Sequence, residues 1–172
     1  IGKIASGRGG ADVTLPQSIS AGLNWDVTDT VHLGYAMTWT GWSCLEKIDF
    51  DLPSGRHTTQ LDWQDVFRFS IAGAWDFADN WQLMGSYVYD IDPCKTDKNV
   101  GSTMLPSGDR HLLTGGLAWH WNGLEISACY GIIMMSSREQ QYQGDYYGAP
   151  VYRFGTRHGV SHQIGLSLSY AF

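Results

Sequence analysis

Residue types that often carry catalysis are scattered along this sequence rather than grouped. Its six histidines share no metal-binding spacing, and no glycine-flanked serine of the kind found in hydrolases accompanies them. The three cysteines, Cys44, Cys94 and Cys129, also lack the spacing of a metal site. The sequence therefore predicts no catalytic residues, no bound metal and no cofactor, and we expect no enzymatic activity.

The elements that must position any functional residue are predicted by an alternation of apolar and polar residues with a period of two, which is typical of β-strands with two different faces. Near the start of the chain, for example, Ile19, Leu23 and Trp25 alternate with residues such as Ser20 and Gly22. Seven stretches show the pattern: 18–27, 30–40, 67–77, 81–90, 110–121, 124–134 and 163–172. We predict an all-β chain of seven antiparallel strands.

These strands suit a membrane better than a soluble sheet. They run to about 10 to 14 residues, close to what a tilted membrane strand needs and longer than the strands of most soluble sheets. One face carries large apolar and aromatic side chains, whereas the other carries Ser, Gly, Ala and Thr, as expected for a lipid face and a lumen face. Aromatic residues also cluster at strand ends, like an interfacial girdle: Trp25, Trp75, Phe77, Trp81, Trp119, Trp121, Tyr170 and Phe172. The pattern favours a transmembrane up-and-down β-barrel.

Composition agrees with this interpretation. Only 16% of the residues are charged, and the mean hydropathy is −0.22, because polar lumen residues dilute an apolar lipid face. No apolar run reaches the length of about 18 residues that a transmembrane helix needs. The net charge of −6 argues against nucleic acid as a partner.

Connections between the predicted strands alternate in length. Short turns are predicted at residues 28–29, 78–80 and 122–123, and long loops at about 43–64, 91–109 and 137–157. In membrane barrels the short turns face the periplasm. We expect a Gly-rich N-terminal segment over residues 1–13 and one barrel unit over residues 14–172. Cys44 and Cys94 are then near neighbouring outer loops, where a disulfide and two separate thiols are both open.

An ordered set of short motifs resembles the FadL-type (FadL/TodX) family of outer-membrane long-chain fatty-acid transporters, specifically its C-terminal half. The resemblance covers residues 15–172 with compatible spacing. The motifs are Leu15-Pro16, Trp39-Thr40-Gly41-Trp42-Ser43, Asp62-Trp63-Gln64-Asp65 with Phe67-Arg68, Asp79-Asn80-Trp81, Tyr89-Asp90-Ile91-Asp92-Pro93, Leu105-Pro106, Asp109-Arg110 and the terminal Ser169-Tyr170-Ala171-Phe172.

The resemblance implies half of a 14-stranded barrel in the outer membrane of a Gram-negative bacterium, plugged by an N-terminal hatch and surrounded by outer-membrane lipid. It also implies uptake of long-chain fatty acids or other hydrophobic molecules, released sideways into the membrane. Seven strands alone leave two unpaired edges in lipid, at several kcal/mol for each unsatisfied backbone group. We therefore expect the other half of the barrel to be absent from this chain.

The resemblance also indicates where a ligand would bind. A fatty acid needs an apolar slot for its tail and a cation for its carboxylate. Trp42, Arg56, His57 and Trp63, around the first long loop, are the candidates. Basic residues of this region help to hold the carboxylate in the family, and here the cation is displaced by a few positions. The alternative is that all four are solvated loop residues.

Other polar residues have structural expectations. His32 and His120 are expected to line the lumen, and Arg68 and Glu125 to form internal ion pairs there. Two other functions stay open. A small structural or adhesion barrel would need residues 1–13 to form an eighth strand, and an outer-membrane lipid enzyme would need a Ser–His pair within hydrogen-bonding reach.

Overall fold

A computed structural model describes residues 10–52, 55–61, 63–94, 108–146 and 149–171. These residues form ten strands and one turn of 3-10 helix, Trp42–Cys44, and contain no helix long and apolar enough to cross a membrane. The strands are β1 (Gly10–Asp12), β2 (Ser18–Thr28), β3 (Val31–Thr40), β4 (Lys47–Leu52), β5 (Gly55–Gln60), β6 (Val66–Ala78), β7 (Trp81–Asp90), β8 (Arg110–Trp121), β9 (Leu124–Tyr146) and β10 (Ala149–Tyr170).

Seven strands form one antiparallel sheet in the order β10-β9-β8-β7-β6-β3-β2. The spatial order follows the chain order, apart from the excursion through β4 and β5, so the sheet runs up and down as predicted. Strands β2 and β10 are its two edges, and within the described residues they pair only with β3 and β9 respectively. The all-β fold and the seven strands are confirmed.

The two faces of this sheet differ as the alternation predicts. Large apolar side chains lie on one face and are open to the surroundings, with Leu23 and Leu166 exposed by 76% and 82%. Small and polar side chains share the other face, where the Ser20 hydroxyl lies 2.9 Å from that of Thr38. The two larger cavities of the sheet open on this small-residue face, which we call the lumen face. The opposite face is the outward face.

Tight turns join the strands at one end of the sheet. The two-residue loops are Asp29–Thr30, Asp79–Asn80 and Asn122–Gly123, so the first turn lies one residue later than predicted. Asn122 and Gly123 both have positive φ, 46° and 79°, as a type I′ hairpin requires. Aromatic side chains surround this end on the outward face, including a stacked pair formed by Trp119 and Trp121. Because short turns are periplasmic in such barrels, we call this the periplasmic end and the opposite one the outer end.

The predicted loop over residues 43–64 is wrong in its main part. Strands β4 and β5 form a hairpin within it, and β1 adds to the free edge of β4, with Ala11 opposite Phe50. Residues 10–12 therefore join this small sheet and not the barrel sheet. Residues 1–9, the rest of the Gly-rich segment, lie outside the described residues. The part that is described does not supply the eighth strand that a small complete barrel would need.

The predicted loop over residues 137–157 is also wrong. Strands β9 and β10 continue through it as a hairpin of 23 and 22 residues, with Tyr146 opposite Ala149. Most of the third predicted loop, 91–109, lies outside the described residues. No disulfide joins Cys44 to Cys94 in the described part of the chain, where Cys44 is exposed and Cys94 is buried.

Candidate functional site

A cavity of about 530 Å³ lies at the outer end of the lumen face. Its apolar lining includes Trp42, Leu61, Trp63, Val66 and Ile91. These residues come from the end of β3, the segment between β5 and β6, and the end of β7. The volume is within the range of roughly 300–1,000 Å³ that small-molecule sites occupy in proteins.

Two tryptophans form the aromatic part of this cavity. The ring centroids of Trp42 and Trp63 are 5.0 Å apart, and the rings are nearly perpendicular, at 78°. Such an edge-to-face pair is favourable because the positive edge of one ring meets the negative face of the other. Trp42 begins the 3-10 turn after β3, and Trp63 forms a bridge with Cys94, so backbone geometry brings both rings to the same place.

Backbone hydrogen bonds hold the segments that carry the two rings. The amide of Ser43 donates to the Asp65 carboxylate at 2.9 Å, which links the two tryptophan-bearing segments. The amide of Gln64 donates to the Pro93 carbonyl at 2.8 Å. Residues 42–45 and 63–65 are therefore tied to each other and to the end of β7.

Asp92 organises the wall beside β7. Its side chain is buried, with 8% of the residue exposed, and its two carboxylate oxygens accept the amides of Cys94 at 3.1 Å and Gly108 at 2.6 Å. The Asp92 amide in turn donates to Asp109 at 2.9 Å. The Asp92 carboxylate thus bonds to the backbone beside Asp109, and the Asp109 carboxylate bonds to the backbone of Asp92. These two hydrogen bonds hold the ends of the connection between β7 and β8 close together.

Two arginines give the cavity its cations. Arg68 on β6, Asp90 on β7 and Arg110 on β8 are directly opposite one another in the sheet, and all three line the cavity. An Arg68 guanidinium nitrogen lies 2.8 Å from the Asp90 carboxylate, and an Arg110 nitrogen lies 3.9 Å from it. The ion pair predicted for Arg68 is confirmed.

The structure brings together only part of the predicted site. Trp42 and Trp63 are in contact as part of one cavity. Arg56 and His57 lie on β5, opposite Asp51 and Phe50, and their side chains are outside the described part of the structure. Arg110 was not predicted as a site residue.

A different polar cluster occupies the periplasmic end of the lumen face. One imidazole nitrogen of His32 lies 2.6 Å from Asp26, and the other lies 3.3 Å from Asp76, which also accepts from Gln82 at 2.8 Å. Nearby, His120 lies 3.6 Å from Glu125, as expected for an internal ion pair of that carboxylate. His32 and His120 are both on the lumen face, as predicted.

Small residues cover the lumen face between these two ends. A shallow cavity of about 490 Å³ is lined there mainly by Gly, Ala and Ser side chains, among them Gly34, Ala72, Ala74, Ser86 and Gly116. The lumen face therefore carries few large side chains between the outer cavity and the His32 cluster.

Comparison with known proteins agrees with the geometry. The sequence profile described as "Outer membrane protein transport protein (OMPP1/FadL/TodX)" matches residues 2–172. A putative outer membrane protein of Neisseria meningitidis serogroup B is 24% identical over 188 residues, which cover 99% of this chain and 39% of that protein. The crystal structure of a Pseudomonas aeruginosa FadL homologue matches with a TM-score of 0.79 at 19% identity, over 94% of this chain and 36% of that one. The chain thus spans less than two fifths of the length of these relatives.

Proposed function

Because the chain belongs to the OMPP1/FadL/TodX family of outer membrane transport proteins, we propose that it forms part of a barrel that takes up long-chain fatty acids and other hydrophobic molecules. The observation that supports this proposal most is the outer cavity, in which the Trp42–Trp63 pair lies beside Arg68 and Arg110. An aromatic slot with adjacent cations suits an amphipathic ligand with an anionic head.

Physical chemistry favours capture of the tail by the two tryptophans. Each methylene transferred from water to an apolar surface contributes about 0.8 kcal/mol, so even a partly buried acyl chain gains several kcal/mol. The rings of Trp42 and Trp63 are held by the surrounding backbone, so a ligand would lose little affinity to ordering them.

The carboxylate of the ligand needs a compensating cation when it leaves water. We propose Arg56 and His57 for this role, since they lie on the β4–β5 hairpin at the outer end, where the ligand arrives. Arg68 and Arg110 are the competing candidates because both line the cavity. The proposal includes no enzymatic step, no cofactor and no metal.

A ligand titration tests the tail site. In the full-length protein, replacing both rings (Trp42→Ala with Trp63→Ala) should weaken oleate binding at least about tenfold, because buried aromatic anchors dominate binding energies. The matched control is Trp25→Ala, an outward-facing tryptophan that is 66% exposed near the periplasmic end. Unaltered oleate affinity in the double variant, with an intact barrel, would contradict the proposal.

A second titration identifies the head-group cation. Oleate and oleyl alcohol share a tail and differ in charge, so their affinity ratio reports only on the head group. The change Arg56→Ala with His57→Ala should reduce this ratio and leave barrel stability nearly unchanged, since both residues belong to the small sheet of β1, β4 and β5 and not to the barrel sheet. If the oleate to oleyl alcohol ratio instead falls only in Arg110→Ala, the oleate carboxylate binds at the cavity wall.

A further inference from the structure

Two residues on the outward face of the barrel sheet differ in type from the others. From the periplasmic aromatic residues up to the level of Met134, its positions hold aliphatic residues, Phe, Trp, Tyr, Met and Gly, apart from His111 on β8 and His162 on β10. Polar side chains on a lipid-facing surface are costly unless they find partners. Two imidazoles on neighbouring parts of this face therefore need an explanation.

Each histidine is bonded to a tyrosine of the adjacent strand. The Tyr87 hydroxyl lies 2.8 Å from Nδ1 of His111, and the Tyr130 hydroxyl lies 2.5 Å from Nδ1 of His162. The rings of each pair are also stacked, with centroids 6.1 and 6.0 Å apart. In both pairs the partners are diagonal neighbours, so the sheet repeats one Tyr–His arrangement on β7–β8 and on β9–β10.

Each pair has one hydrogen-bond donor that the bond between tyrosine and histidine does not use. A neutral imidazole has one N–H and a tyrosine has one O–H, and their mutual hydrogen bond uses only one of these two protons. Whichever partner donates, a second donor remains. For neither pair does the described part of the chain contain an acceptor for it. Tyr87, Tyr130 and His162 are exposed and His111 is half-buried, so the remaining donor of each pair can be reached from the surroundings of the barrel.

The depth of these donors follows from the strand geometry. A strand that rises about 3.4 Å per residue with a tilt of about 40° advances about 2.6 Å per residue along the membrane normal. His111 is near the start of β8 and Trp121 ends it, and His162 is likewise far from Tyr170. Both histidines are therefore roughly 20 to 26 Å above the periplasmic aromatic residues. An apolar band about 25 Å tall ends at this level.

We propose that the Tyr87–His111 and Tyr130–His162 pairs bind phosphate groups of lipid A in the outer leaflet. Lipopolysaccharide forms that leaflet of a Gram-negative outer membrane, and its phosphate groups lie at the boundary of the acyl chains. A phosphate oxygen is the strongest acceptor available at this depth, and hydrogen bonds to an ionised acceptor are shorter and stronger than neutral ones. The site is on the outside of the barrel and does not depend on which cargo crosses it.

Geometry favours recognition over a purely structural role for the two pairs. A pair of apolar side chains would brace neighbouring strands without placing a spare donor against lipid. The two pairs are also about 12 Å apart, since β8 and β10 are two strand spacings apart and the histidines are offset by about two residues. One side of the barrel thus presents two donors near the outer limit of the apolar band.

Native mass spectrometry can compare two lipids on the full-length protein in detergent. One probe is lipid A with both phosphates, and the other is the same lipid A with both phosphates removed. The proposal predicts that the phosphorylated lipid binds at least about tenfold more tightly, as expected for two hydrogen bonds to charged acceptors. Equal affinity for the two lipids would overturn it, and this comparison requires no variant.

Variants then test whether the two Tyr–His pairs cause the preference for the phosphorylated lipid. His111→Phe with His162→Phe keeps stacked rings and removes the imidazole nitrogens, so the preference for the phosphorylated lipid should fall to about twofold or less. Tyr35→Phe is the matched control, because Tyr35 is outward-facing at the level of Tyr87 and bonds to no histidine among the described residues. A full preference in the double histidine variant, or an equal loss in Tyr35→Phe, would refute the assignment to these pairs.

Discussion

The two ends of the lumen face have different chemistry on the same set of strands. At the outer end, Trp42 and Trp63 form an apolar cavity wall beside Arg68 and Arg110. At the periplasmic end, the His32 cluster consists of polar side chains bonded to one another, and the aromatic residues lie on the outward face instead. In the described part of the chain, the outer end is where apolar surface lies beside arginines.

The alternating strands carry different residues in their middle and at their ends. Lumen-face residues in the middle of the strands are mostly small, whereas those at the ends carry charged and hydrogen-bonded side chains. The outer end also receives residues from the connections, including Trp42, Trp63 and Asp92, which the tight periplasmic turns cannot supply. The long excursions of the chain therefore supply the aromatic wall of the proposed ligand site.

The largest expected effect comes from the buried carboxylate of the outer end. Asp92→Ala removes the acceptor for the amides of Cys94 and Gly108, and two buried unsatisfied donors cost about 2 to 4 kcal/mol. Hydrogen exchange of these two amides should accelerate at least tenfold, while the amides of the barrel sheet stay protected. Asp29→Ala, in an exposed periplasmic turn, is the control and should change neither. Unchanged exchange at Cys94 and Gly108 would show that Asp92 does not hold this wall.

A steric clash at the periplasmic end should cause a slightly smaller loss of stability than Asp92→Ala. Gly123 has a φ of 79°, and a Cβ there would lie 2.4 Å from the Ala171 carbonyl oxygen. Gly123→Val should therefore destabilise the barrel by about 2 to 3 kcal/mol and leave oleate affinity unaltered. Gly115→Val is the matched control, since nothing lies within 4 Å of its added Cβ. The readout is the temperature at which the folded band is lost on a heat-modifiability gel, and equal shifts in both variants would contradict the prediction.

The smallest expected effect compares the carboxylates of the two polar clusters. Asp90→Ala leaves Arg68 and Arg110 without the anion between them, so we expect a loss of about 1 to 2 kcal/mol and a changed oleate affinity. Asp76→Ala, in the more exposed His32 cluster, should shift stability less and leave oleate affinity as it is. Urea unfolding midpoints and oleate titrations check both variants. A larger loss of stability or affinity in Asp76→Ala would reverse the comparison.

The barrel strands could be predicted because their signal is local. Period-two alternation in each strand and the Asn122–Gly123 turn residues are visible within windows of about ten residues, and they fix which face each side chain takes. The Trp42 and Trp63 positions could be proposed from the family resemblance, but their contact depends on the bridge between Trp63 and Cys94, which pairs distant segments.

The strands of the small sheet were missed for a physical reason. Strands β4 and β5 are six residues each, and β1 is three, so their alternation is too short to separate from a polar loop. The alignment of Arg68, Asp90 and Arg110 depends on the register of three strands. The sequence does show that all three residues lie on the lumen face at similar distances from the short turns. That signal could have predicted that they lie close together.

The most direct test of the outer cavity as the ligand site is a crystal structure with a fatty acid that carries bromine at the end of its tail. Anomalous scattering locates bromine without assumptions about the rest of the ligand. We expect a bromine peak within about 4 Å of the Trp42 or Trp63 ring, a contact distance for apolar atoms. A peak at the periplasmic end beside His32, or on the outward face alone, would contradict it.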